Sequence, residues 1–218
     1  RGIRLRSSAR SDRGQVRQNN EDSVHLWDAE TSVLAVVADG MGGHSGGELA
    51  STMAIKYMSE YFKAISKKEA SATSKIKNCI GFANKKIKDF ADSDKKLQGM
   101  GTTVVSLFFD GESLAIGNVG DSRAYLVQSN QIFQLSKDHS MVQEKINMGI
   151  YTRKQAQDDP QKNILSRTVG FEDDVQIDAF SYKCKPGDFL LICSDGLHGK
   201  VSDQDILILL KTHLLSKE

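Results

Sequence analysis

Two apolar runs close on the same dipeptide: Val33–Ala38 runs into Asp39-Gly40, and Phe189–Ser194 runs into Asp195-Gly196. Continuous runs of this kind are what buried strands look like. A carboxylate at the end of such a strand is held rigidly. The glycine after it lets the backbone turn and offer its carbonyl to whatever the carboxylate binds. Two such ends, from opposite halves of the chain, would bring acidic oxygen ligands to one divalent-cation site. Asp-Gly is also a hairpin signal, and Asp110-Gly111 shows that use, lying between Thr102–Phe109 and Ser113–Gly117, two runs able to pair across it. Asp39-Gly40 is followed instead by Met41-Gly42-Gly43-His44 and a helix-like stretch. Two further polar clusters, Arg17-Gln18-Asn19-Asn20-Glu21-Asp22 and Gly120-Asp121-Ser122-Arg123, fall where strands begin or turn.

The elements that must position these groups come in blocks. Leu5–Asp12, Ser23–Trp27 and Val33–Ala38 read as strands. A helix over Glu48–Ile65 places Leu49, Met53, Tyr57 and Tyr61 on one face, and a second over Ala72–Phe90 spaces Ile76, Ile80, Ala83, Ile87 and Phe90 for burial. Lys85, Lys86 and Lys88 read as the solvated face of that helix. A meander of strands follows: Thr102–Phe109, Ser113–Val119, Ala124–Gln128 and Gln131–Leu135. Met141–Pro160 is polar and helix-leaning, and Asn163–Gly170 is a connection. Strands Val175–Tyr182 and Asp188–Ser194 and a helix over Ser202–Leu215, capped by Ser202 with Asp205, close the chain. Strand block, helix pair, strand block, helix is the pattern of an α+β fold in which antiparallel sheets stack as a sandwich with helices outside.

Composition excludes several classes of function. Across 218 residues, 29 Lys and Arg balance 28 Asp and Glu, so no global field favours nucleic acid or a membrane surface. No apolar stretch reaches the ~18 residues of a membrane span, and the start of the chain shows no signal-peptide core. The three cysteines (Cys79, Cys184, Cys193) lack metal-type spacing, and a reduced, cytoplasmic setting is expected.

The polar clusters occur in a telling order. R-x-x-N-E-D at Arg17–Asp22, D-G-M-G-G-H at Asp39–His44, G-T-T at Gly101–Thr103, G-D-S-R at Gly120–Arg123, D-H-S at Asp138–Ser140 and S-D-G-L at Ser194–Leu197 together resemble the metal-dependent Ser/Thr protein phosphatases of the type-2C (PPM) family in their bacterial form. Ser11-Asp12-Arg13-Gly14 and Pro160–Arg167 add to the likeness, which spans nearly the whole chain. The resemblance implies a central antiparallel β-sandwich flanked by helix pairs, in a single catalytic domain over residues 1–218 with a flap subdomain over about 141–170. It also implies hydrolysis of phosphoserine and phosphothreonine in proteins, opposing a Ser/Thr kinase, by a hydroxide bridging two Mn²⁺ or Mg²⁺ ions.

By the same resemblance Asp39 bridges both ions, the Gly40 carbonyl binds one and Asp195 the other, and Glu21 and Asp22 support the ion near Gly40. Such all-oxygen ligand sets suit hard cations. Asp121 matches the ligand of a third, weaker metal. Arg17 is the residue expected to bind the substrate phosphate through its planar fork. His44 matches a bacterial position that either donates a proton to the leaving group or orients a water. The flap is expected over Met141–Asp159, with Gly149 inside it, and Asp138 and His139 are expected to tie its base to the sheet. Partners would be phosphorylated proteins, among them a kinase and its substrates, with no nucleic acid and a monomeric enzyme. The family's last strand, with an Asp that completes the shell around the ion at Asp195, has no counterpart before Glu218, so the chain is expected to be a truncated member. The same ligands would also serve a relative that binds phosphoprotein or a kinase without turnover, or a hydrolase of small phosphoesters.

Overall fold

The computed structural model describes residues 5–29, 32–42, 46–64, 71–111 and 113–215. Its larger sheet is built on β1 (Asp22–Ala29), β2 (Ser32–Met41), β4 (Val104–Phe109), β5 (Leu114–Val119) and β8 (Asp178–Tyr182), neighbours in that order, with the short β3 (Gly101–Thr102) paired to the end of β2. A smaller sheet runs β7 (Gln131–Gln134), β6 (Arg123–Gln128), β9 (Phe189–Cys193). All pairings are antiparallel.

Side-chain alternation divides the larger sheet between two cores. Leu34, Val36 and Ala38 of β2, Val104 of β4, and Ala115 and Val119 of β5 face the helices. Val105 and Phe109 of β4 and Leu114 and Ile116 of β5 face the other way, onto Ala124 of β6 and Leu190 and Ile192 of β9. The second cluster is the sandwich interior.

The first cluster is covered by α1 (Gly46–Ala64) and α2 (Ala72–Ser93). α2 begins where Ser71 accepts a hydrogen bond from Ser74 N, an N-cap. It lies close on β5 because Gly117 has no side chain there: a Cβ would sit 2.3 Å from Ile76 Cγ2. Ile76, Ile80, Ala83 and Ile87 are buried as their spacing demands, whereas Phe90 is 42% exposed, one turn beyond the sheet. Lys88 lies on the solvent side and pairs with Asp92 at 2.6 Å.

Several boundaries differ from the sequence reading. Leu5–Asp12 forms no strand. Leu5 packs on the sandwich core and Ser7 Oγ donates to Asp28 Oδ2 at 2.7 Å, but among the described residues no strand pairs with the segment, and a lone extended chain has no ladder to make. The expected meander is two hairpins in different sheets, because the chain crosses from one to the other at Gly120–Ser122. Thr102–Phe109 is interrupted at Thr103, whose backbone is diverted to Asp39. The strand expected from Val175 starts only at Asp178, and the last helix, α6 (Asp203–Leu210), widens into a π turn over Lys211–Leu215. Asp110 is a turn residue as expected, its Oδ1 accepting from Ser113 N at 2.9 Å. Among the described residues no helix is long and apolar enough to cross a membrane.

Candidate metal centre

Antiparallel pairing puts Asp22 directly opposite Asp39 in the β1–β2 ladder. Like charges in that position cost stability, so the pair calls for an explanation. A third carboxylate arrives from the other sheet. Asp195 follows β9 and opens the single-turn helix α5 (Asp195–His198) where a simple turn was expected, and its charge acts on Asp39. Asp121 arrives from the crossing between the sheets. Burial first, then the charges of Asp22, Asp195 and Asp121, push the Asp39 carboxyl far above the usual carboxylate range. Burial, then Asp195 and Asp138, raise Asp121 to about 7. Ser194 Oγ donates to Asp22 Oδ2 at 2.7 Å, tying the end of β9 to the start of β1.

The backbone under Asp39 is pinned from three directions. Its N–H donates to Thr103 Oγ1 at 3.0 Å, and its carbonyl accepts from Thr103 N at 2.8 Å and from Thr102 Oγ1 at 2.9 Å. Thr103 Oγ1 also lies 2.7 Å from Ser122 Oγ, beside Asp121. Thr102, Thr103 and Ser122 are buried, and the sequence reading had assigned the Gly101-Thr102-Thr103 motif no role. The available signal was chemical: hydroxyls in an otherwise apolar run need a polar partner once buried.

Gly40 stays within β2 opposite Thr102 rather than turning, and its lack of a side chain admits the first turn of α1: a Cβ there would lie 1.9 Å from the Gly47 carbonyl oxygen. Gly40 N donates to the Glu21 carbonyl at 3.1 Å, which also accepts from Ser51 Oγ at 2.6 Å. Glu21 is therefore anchored by its backbone beside Gly40 and Gly47. Arg17 lies on the rim, with its side chain 78% exposed and Nη1 4.0 Å from Glu21 Oε2. His44 lies outside the described residues.

The expected flap is two short helices, α3 (Met141–Asn147) and α4 (Arg153–Asp158). Ser140 caps α3 and Thr152 closes a capping box on α4. Gly149 takes φ +73° in the turn between them, and Asp159 pairs with Lys145 at 3.4 Å. At its base, Asp138 takes a bidentate contact from Arg123 of β6 (Nε to Oδ1 2.9 Å, Nη2 to Oδ2 2.7 Å), and His139 bonds Gly120 and Asp178. Both residues tie the chain just before α3 to the sheets.

Among the described residues no three Asp, Glu, His or Cys side chains close into a finished metal shell. The donors present are all oxygens, neighbouring carboxylates set at one end of the sandwich, and among the described residues no lysine or arginine makes an ion pair with Asp22, Asp39, Asp121 or Asp195. That chemistry fits hard divalent cations that retain several waters, and it does not fit zinc or another nitrogen- and sulfur-seeking ion.

Comparison with known proteins agrees. The sequence profile described as protein phosphatase 2C matches residues 11–214. The chain is 39% identical over 212 residues to the serine/threonine phosphatase stp of Listeria welshimeri, covering 95% of this chain and 84% of that protein. It is 36% identical over 204 residues to the serine/threonine protein phosphatase PstP of Mycobacterium tuberculosis, covering 93% of this chain and 38% of that protein. The crystal structure of the M. tuberculosis phosphatase PstP/Ppp superposes with a TM-score of 0.85 at 34% identity, over 94% of this chain and 85% of that one. The catalytic domain of PstP in complex with two manganese ions gives a TM-score of 0.81 at 34% identity, over 94% and 83% of the two chains. A sandwich of antiparallel sheets carrying convergent carboxylates, together with these matches along nearly its whole length, establishes that the chain belongs to the protein phosphatase 2C family.

Proposed function

We propose that the chain hydrolyses phosphoserine and phosphothreonine in proteins at a divalent-metal centre formed by Asp39, Asp195 and the Gly40 carbonyl, with Glu21 and Asp22 supporting and Asp121 holding a weaker third ion. The observation that carries this reading is the meeting of Asp22, Asp39, Asp121 and Asp195 at one end of the sandwich, where burial and the neighbouring charges raise the Asp39 carboxyl and, among the described residues, no lysine or arginine makes an ion pair with any of the four. A bound pair of Mn²⁺ or Mg²⁺ ions would supply a water activated at neutral pH and charge compensation for the phosphoryl oxygens.

The chain's own groups do the rest. Thr102 and Thr103 hold the backbone of Asp39, which fixes where its side chain starts. Ser194 holds Asp22 directly by its carboxylate. Arg17 is free on the rim to swing from Glu21 onto a phosphate dianion, where its planar fork can make two parallel hydrogen bonds. His44 keeps the two roles that sequence assigns it, proton donor or orienter of water. α3 and α4 form a flap subdomain over about 141–170 that meets the protein substrate, within one catalytic domain. The names of the relatives support a phosphoprotein substrate and, with it, a Ser/Thr kinase as the opposing partner. Cys79, Cys184 and Cys193 are buried free thiols, in keeping with a monomer in a reducing cytoplasm.

The deciding experiment compares release of phosphate from a phosphothreonine peptide and from a small aryl phosphate, with and without Mn²⁺. Mn²⁺-dependent turnover of the peptide, lost in Asp39→Asn, is the expected result. Turnover of the aryl phosphate alone would make the protein a small-phosphoester hydrolase. Mn²⁺-dependent stabilisation without turnover of either would make it a phosphoprotein-binding relative.

A further inference from the structure

The turn that carries Asp121 is gripped by two histidines to which the reading above gives no part in the metal centre. We propose that His139 and His198 form a two-sided clamp that sets Asp121 against Asp195, and that His139 links this setting to the base of the flap. This deepens the metal-centre reading and rests on it.

One jaw is His139, 4% exposed and located just before α3. Its Nδ1 accepts from Gly120 N at 3.1 Å, and its own N–H donates to the Gly120 carbonyl at 2.9 Å, so both backbone polar groups of Gly120 are met by this residue. Gly120 takes φ +100°, in the left-handed region, and a Cβ there would sit 2.7 Å from Thr103 Cγ2. The turn is thus confined on its other side as well. Because Nδ1 accepts, the ring hydrogen sits on Nε2, which donates to Asp178 Oδ2 at 3.0 Å. Arg167 Nη1, 3.1 Å from the same nitrogen, directs a hydrogen to Asp178 Oδ1 at 2.8 Å. The chain on either side of His139 is laced to the far end of the flap: Ser166 N donates to the His139 carbonyl at 3.0 Å and Met141 N to the Ile164 carbonyl at 2.9 Å.

The other jaw is His198, the last residue of α5. Its Nε2 donates to the Asp121 carbonyl at 2.9 Å. α5 is one helical turn that starts at Asp195, with Gly199 N bonded to the Asp195 carbonyl at 2.8 Å. The same turn of helix therefore carries one acidic group on its first residue and holds the backbone of the other with its last. The two carboxylates sit on separate stretches of chain, one in the crossing before β6 and one after β9, and repel one another, so a rigid strut between their backbones is what keeps their spacing fixed. Positioning contacts of this kind around a metal are typically worth about 10–100-fold in affinity.

Half-isosteres separate the contacts. In His139→Asn the side-chain oxygen takes the place of Nδ1 and keeps the Gly120 contact while losing Asp178. In His139→Gln the amide reaches the place of Nε2 and keeps Asp178 while losing Gly120. His198→Gln keeps a donor for the Asp121 carbonyl, and His198→Leu removes it. Mn²⁺ titrations followed by thermal shift, and by phosphopeptide turnover, should show His139→Gln and His198→Leu needing about 10–100-fold more Mn²⁺. His139→Asn and His198→Gln should stay near the parent. His139→Asn alone should speed hydrogen exchange over residues 141–164. If all four variants lose metal-free stability alike and saturate with Mn²⁺ as the parent does, the histidines are merely structural and the clamp is wrong. If Asp39→Asn still shows the parent's Mn²⁺-induced shift, the underlying metal-centre reading has failed instead.

Discussion

Two groups of acids, most of them half-buried, stand side by side at one end of this sandwich and are treated in opposite ways. In the outer group, each acid has partners. Asp138 takes the fork of Arg123, whose Nη1 reaches Tyr125 Oη at 3.0 Å, and that hydroxyl donates to Asp203 at 3.0 Å. Asp178 takes Arg167 and His139, which hold its carboxyl below the usual range although burial works the other way. In the inner group, Asp39 faces Asp22, Asp195 and Asp121 with no cation between them, and its carboxyl is driven up. Burying charge is tolerable when it is paired within the chain. Among the described residues the inner group has no lysine or arginine partner, so the fold carries a repulsion that an ion from outside would relieve. The satisfied outer group is the frame that keeps the inner one from drifting apart.

The largest test of this contrast is Asp39→Asn. Removing the acid that touches the others should lower Mn²⁺-dependent dephosphorylation at least ~100-fold, the scale of single electrostatic groups at a reacting centre. The same change should raise the melting temperature measured in EDTA, because it relieves repulsion. A fall in metal-free stability would mean that the inner acids are a structural network like the outer ones. The mirror experiment is Arg123→Ala, which strands Asp138 without its partner. Breaking such a pair costs about 3–5 kcal/mol, so thermal unfolding should show a drop of roughly 6–20 °C for a domain of this size.

A smaller effect is expected at the rim. Arg17→Ala should leave stability within about 0.5 kcal/mol, since its ion pair with Glu21 is long and exposed. It should reduce kcat/KM on a phosphopeptide about tenfold or more, as for loss of a hydrogen bond to a charged group. Arg17→Lys should recover only part of this, and Mn²⁺ affinity should be unchanged in both. The smallest change is expected for small substrates when the flap is shortened. Replacing residues 141–159 by a short linker should alter turnover of phosphopeptides while sparing an aryl phosphate. Equal losses on both would place the flap with the structural frame.

Much of this was legible in the residues. The continuous apolar runs of β2, β4 and β5 announced buried strands, the spacing in α2 announced its buried stripe, and acids at strand ends suggested a cation site. Motif order carried the family resemblance that proposes Arg17, Glu21, Asp22, Asp39, Gly40, Asp121 and Asp195 as a set, and of these the structure brings the charges of Asp22, Asp39, Asp121 and Asp195 together. The reading of Leu5–Asp12 as a strand was wrong because a strand exists only with a partner alongside, and a short window of residues says nothing of whether one lies there. Reading four strands as one meander was wrong for a related reason: consecutive strands pair by default, and nothing local marks a crossing between sheets.

Sequence by itself determined which residues are apolar, where the chain must turn, and which carboxylates sit too close to strand ends to be neutral surface. These are properties of short windows, set by side-chain chemistry and backbone preference. Only the tertiary structure decided that Asp39 and Asp195 come from different sheets, that Thr102 and Thr103 pin Asp39, and that His139 and His198 grip the Asp121 turn. Those contacts join residues as far apart as Ser194 and Asp22, 172 positions along the chain. A hydrogen-bonding side chain in a sequence shows what it can donate or accept, and the fold alone brings its partner within 3 Å.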